Sequence, residues 1–74
     1  MSKSLYTQTI RELLAKTGNL GIDPRHVEAY MRLEHSTLDG LSLRQFRSEV
    51  LLSVSCIEIE GNAGAERLAQ SYGL

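Results

Sequence analysis

Cysteine occurs once in this chain, at Cys56, and proline once, at Pro24. A lone thiol excludes an internal disulfide framework. With only two histidines, both far from it in sequence, it offers no structural zinc pattern either. Charge of one sign is not in excess, since eight Lys or Arg face nine Asp or Glu for a net −1. That balance is neither the basic footprint of a dedicated nucleic-acid binder nor the surplus of a disordered acidic tail. No apolar run reaches the roughly 18 residues of a membrane span. The opening Met-Ser-Lys-Ser-Leu-Tyr-Thr-Gln lacks the apolar region of a secretory signal. The expected setting is therefore reducing and cytoplasmic.

What is present is a hydrophobic share of 42% in 74 residues, enough for one globular domain over 1–74. A chain this size buries only about 60% of its unfolded surface. Without disulfides or a metal, regular helix packing or self-association must supply the remainder.

The chain divides into helical segments with recognisable ends. A first helix is expected from near Ser2 or Ser4, with Tyr6, Ile10, Leu13, Leu14 and Thr17 on one face and Gly18 closing it. Asp23-Pro24 is the clearest punctuation: Asp at the N-cap accepts from free amides, and Pro at the first position gives up an N–H that had no partner. Val27, Tyr30 and Met31 then share a face, extended by Leu38 if the helix runs on to a stop at Gly40. Glu34 falls on that stripe, which either has reached the helix end there or holds a half-buried acid needing an Arg partner. Ser42-Leu43-Arg44-Gln45 is a capping-box pattern, so only one or two residues should separate the second and third helices. The third ends at Gly61-Asn62, and Asn62 can cap a short final helix bearing Ala65, Leu68, Ala69 and Tyr72. The expected fold is all-α, a small compact bundle of three main helices plus a short C-terminal helix.

The third segment carries the most information. Leu43, Phe46, Val50, Val54 and Ile57 form one stripe at 3.6 residues per turn, while Leu52, Cys56 and Ile59 fall on nearly the opposite side. A helix apolar on two faces must be covered on both, which suggests the central helix of the domain or of a helical dimer. Either the C-terminal helix folds back over the second stripe, or a second copy or another protein covers it. Leu52, Cys56, Ile59 and Tyr72 are the partner-binding candidates, since an uncovered apolar patch marks an interaction surface.

Other constellations are weaker. The segment 32–50 resembles a helix-turn-helix in its Gly40 turn, with Arg44, Gln45, Arg47 and Ser48 placed to reach bases or phosphates. Against it stand His35 and Asp39 where apolar residues belong, and a near-zero net charge that removes most nonspecific affinity. His26, Tyr30 and Glu34 lie one turn apart on one helix edge, which is too little for a metal or acid–base site. Cys56 sits among apolar residues with no cation at hand to activate it. No glycine-rich phosphate loop is present.

Sequence alone thus points to a small non-enzymatic protein–protein interaction module, an adaptor or regulator working as monomer or homodimer. Its size and lack of chemistry suit a bacterial or phage accessory protein. The expected partner is another protein or a second copy of the chain, with no cofactor, metal, membrane or small-molecule substrate. A DNA-binding regulator using 32–50 is the alternative.

Overall fold

The Asp23 carboxylate caps the second helix, accepting from the Arg25 backbone N–H at 2.9 Å, with Pro24 in the first helical position. In the computed structural model, residues 6–74 are described, and they form an all-α fold. Its helices are α1 (Thr7–Lys16), α2 (Pro24–Glu34), α3 (Leu43–Glu60) and α4 (Asn62–Ser71). The fourth helix equals the first in length, at ten residues each. Asp23→Ala is expected to lower stability by about 1 kcal/mol. A thermal melt of that variant superimposable on wild type would refute the cap.

Two of the expected ends are built as anticipated. The α3 start is a full capping box: the Ser42 hydroxyl accepts from the Gln45 N–H, and the Gln45 side chain accepts from the Ser42 N–H. After α1, Gly18 adopts φ +77°, and the next residue's amide reaches back to Leu14 O at 2.8 Å while Gly18 N–H bonds Ala15 O. This is a Schellman closure, and glycine is there because the left-handed conformation crowds any Cβ. Gly73 and Leu74 repeat the pattern on Ala69 and Gln70 after α4.

Three features differ from expectation, and a fourth expectation falls outside the described residues. The α1 start near Ser2 or Ser4 lies outside the described residues, and the helix begins at Thr7 with no side-chain cap. The second helix stops at Glu34, where His35 turns to extended backbone, six residues before Gly40. Eight residues, 35–42, therefore join α2 to α3 rather than one or two. Asn62 is the first residue of α4 and caps nothing. Gly61, at φ +90° and ψ 163°, serves both helix ends in a conformation nearly closed to other residues.

The core is made by Ile10 and Leu14 of α1, Val27, Tyr30 and Met31 of α2, Leu38 of the connection, Phe46, Val50, Val54 and Ile57 of α3, and Ala65 of α4. The central element is α2, not α3. Both helices touch all the others, but on α2 the residues from His26 to Met31 are buried without a break, whereas α3 is exposed along one side. Leu38 reaches the core from the irregular connection, which is tied to α1 by a hydrogen bond from the Tyr6 hydroxyl to Asp39.

Candidate functional site

The α3 helix buries one face and presents the other to solvent. Phe46, Val50, Ser53, Val54 and Ile57 point inward. On the opposite side Leu52 is 60% and Ile59 84% exposed, with Cys56 exposed beside them. The expectation that α4 folds back over this stripe is not met: α4 packs chiefly on α2, and its small Ala65 and Ala69 are buried there. Leu52, Cys56 and Ile59 are brought together along one wall of a shallow groove of about 380 Å³ between α2 and α3, with Tyr30, Glu34 and Glu49 on the other parts of its lining. Tyr72, at the end of α4, is not part of that lining.

Acidic groups border the groove. Glu34 is exposed at the last position of α2, so the stripe ends there and the acid stays wet. Glu49 lies 3.4 Å from the His35 ring. The Glu60 carboxylate accepts from the Tyr30 hydroxyl at 2.5 Å, which pushes the Tyr30 phenol up to about 12, with burial adding to the effect. Losing that proton would place two anions together. The pair therefore stabilises the fold fully below the ordinary phenol range near 10, and that contribution is lost as pH rises through about 12. In a spectrophotometric titration, Tyr30→Phe should remove a late phenol transition near pH 12. A wild-type and variant pair with the same late transitions would contradict the bond.

A second polar cluster joins the start of α2 to α4. His26, 6% exposed, shares a hydrogen bond with Glu66 at 2.8 Å through Nε2. Arg25 reaches both Asp23 and Glu66, and also donates to the Leu74 carbonyl at 3.2 Å. The His26 hydrogen bond is the main reason the Glu66 carboxyl sits below its ordinary range, with Gln70 and Arg25 adding to it. Asp23, His26 and Glu66 have donor atoms within 4.8 Å of one another, close enough to share a small cation. Arg25 already bridges the two carboxylates, however, so a cation would have to displace its guanidinium. The cluster acts as a clasp that fixes α4 to α2. His26, Tyr30 and Glu34 do not converge: the first turns to Glu66, the second to Glu60 and the third to solvent.

Of the two readings of Glu34, the end of the stripe holds, and the buried acid of α2 is Glu28, which the sequence reading did not single out. That carboxylate is 1% exposed and takes both Arg32 Nε at 2.9 Å and Arg32 Nη2 at 2.7 Å on one oxygen. Its other oxygen has no partner among the described residues. The i, i+4 spacing of Glu28 and Arg32 was the available signal.

Of the nucleic-acid candidates, Arg44 and Arg47 line a groove of about 540 Å³ between α1 and α3 together with Lys16, Leu13 and Leu43. Gln45 is committed to the capping box, with its side-chain oxygen on the Ser42 amide. Ser48 is exposed. The helix-turn-helix geometry itself is absent, because residues 35–42 are irregular where the motif needs a helix and a tight turn. Comparison with protein-family models, curated proteins and solved structures finds no match.

Proposed function

We propose that this chain is a small non-enzymatic protein–protein interaction module, an adaptor or regulator, whose binding surface is the outward face of α3. The observation that carries the reading is the exposure of Leu52 and Ile59 next to Cys56 on a helix whose other face is well buried. Large apolar side chains grouped on one face lose contact with water when a partner covers them, at about 25 cal/mol per Å². The architecture serves this role as three helices that supply most of the core and a fourth that clasps the second, leaving α3 free on one side. A cytoplasmic setting suits a surface thiol.

The test pairs Leu52→Gln with Ile59→Gln. The double variant should keep its helicity and its monomer fold while losing its partner in an affinity capture from the native cell, or losing assembly mass. Unfolding would make the stripe part of the core, and unchanged capture and mass would remove the surface from the account. The same eluates should be free of nucleic acid. A salt-sensitive, sequence-specific DNA shift at physiological salt, abolished by Arg44→Ala with Arg47→Ala, would favour the regulator alternative instead.

A further inference from the structure

The α3 sequence arranges its charges against its own helix dipole. Cations belong at a helix C-terminus and anions at the N-terminus, yet Arg44 and Arg47 lie in the first turns of α3 and Glu58 and Glu60 in the last. No acid occupies the first turn and no base the last. Among the described residues, Arg44, Arg47 and Glu58 make no ion pair that would account for the arrangement.

The outward face shows what would account for it. Ser48, Leu52, Ser55 and Ile59 are all exposed and recur at spacings of four, three and four. Wound on an α-helix they lie within about 60° of one line, the narrow seam of a two-helix contact. The two serines let a partner backbone come close between the Leu and Ile. Arg44 and Glu58 lie along one flank of that seam, about 40° apart when viewed down the helix, with Arg47 about 20° further round toward α1. A helix bearing plus charges at one end and minus at the other is complementary to itself when turned end for end. That is the requirement of a two-fold, isologous interface, in which the same patch meets its own copy.

We propose that the occupant of the α3 face is a second copy of this chain, docked as an antiparallel α3–α3 pair about a two-fold axis passing between Leu51 and Leu52. Leu51 and Leu52 meet their counterparts at the centre, and Ser48 of each chain faces Ser55 of the other. Arg44 and Arg47 of one copy then reach Glu58 of the other at both ends of the contact. The two α3 dipoles oppose, so the adverse charge placement within each chain becomes favourable between chains. This deepens the interaction-module reading and depends on it. A parallel pair would instead set Arg against Arg and Glu against Glu.

The experiment measures mass in solution across a concentration series, with charge variants of the full chain. Wild type should be dimeric at high concentration. Arg44→Glu with Arg47→Glu, and separately Glu58→Arg with Glu60→Arg, should each raise the dissociation constant by about tenfold or more. The chain carrying all four changes should recover dimerisation. Because Glu60 also bonds Tyr30, Glu58→Arg alone is the control should its pair with Glu60→Arg fail to fold. Orientation is read by disulfide formation in a Cys56→Ser background. Chains with Ser48→Cys should cross-link to chains with Ser55→Cys, while neither cross-links to itself. Self-cross-linking of either variant would overturn the antiparallel arrangement. A wild-type monomer that still retains a stoichiometric partner through Leu52 and Ile59 would overturn self-association and leave the module reading standing. A monomer that retains no partner would remove both.

Discussion

Replacing Arg32 with Ala is expected to destabilise the fold by about 3 kcal/mol. Glu28 is 1% exposed on the central helix, and its charge is answered by Arg32 one turn later, with 2.7 and 2.9 Å contacts to a single oxygen. Removing the guanidinium leaves a carboxylate buried without a counter-ion, which costs more than the pair itself contributes. Because the Arg32 side chain is 38% exposed, water can reach part of the vacated space, and that holds the loss to the lower end of the range for buried pairs. The reverse substitution sets the sign of the argument. Glu28→Met keeps a straight chain of similar length, removes the charge and the orphaned oxygen, and should be neutral or stabilising. Thermal melting checks both: Arg32→Ala should lower the midpoint by about 15 °C, with Glu28→Met at or above wild type. An Arg32→Ala midpoint within a few degrees of wild type would show that Glu28 is not held by this pair.

Met31→Ala is expected to cost a similar amount, about 3 kcal/mol, by a different route. Met31 is 0% exposed in the cluster shared by Ile10, Leu14, Val50 and Ile57. Truncation removes buried apolar atoms and leaves a cavity that the surrounding core side chains can only partly close. For a domain of 74 residues, with total stability of about 5 kcal/mol, the variant should be close to half unfolded at moderate urea. Leu52→Ala offers the contrast. Leu52 is 60% exposed, so in the monomer its truncation should lower the unfolding free energy from urea titration by less than about 0.5 kcal/mol. Equal losses for Met31 and Leu52 would mean that α3 is wrapped on both sides.

The parts of this fold that sequence showed are those whose physics is local. Asp23-Pro24 and the Ser42–Gln45 box contain donor and acceptor within a few residues, so the pattern is the structure. The inward stripe of α3 was legible for the same reason from Phe46 to Ile57, but not at Leu43, which lies in the first turn beyond the core and is 75% exposed. The end of α2 was not, because Leu38 falls on the helical stripe and is also buried from an irregular connection, at 4% exposure. Periodicity cannot separate those two ways of reaching the core. Nor could it show α2 as the central helix. Burial on that helix is disguised by polar residues whose partners are remote or on the same face: His26 with Glu66, Tyr30 with Glu60, Glu28 with Arg32. The α3 helix looked central because it is apolar on two sides, yet one of those sides faces water.

That last point is the central claim, and the thiol of Cys56 reports on it directly. The measurement is the rate of alkylation of native protein, diluted until its mass is that of a monomer, against the rate for the urea-unfolded chain. Cys56 is exposed on the outward side of α3, so the native rate should fall within a few-fold of the unfolded one and slow as concentration rises and the face is covered. A native thiol protected by orders of magnitude at every dilution would mean that the chain covers this face itself, and that it is core.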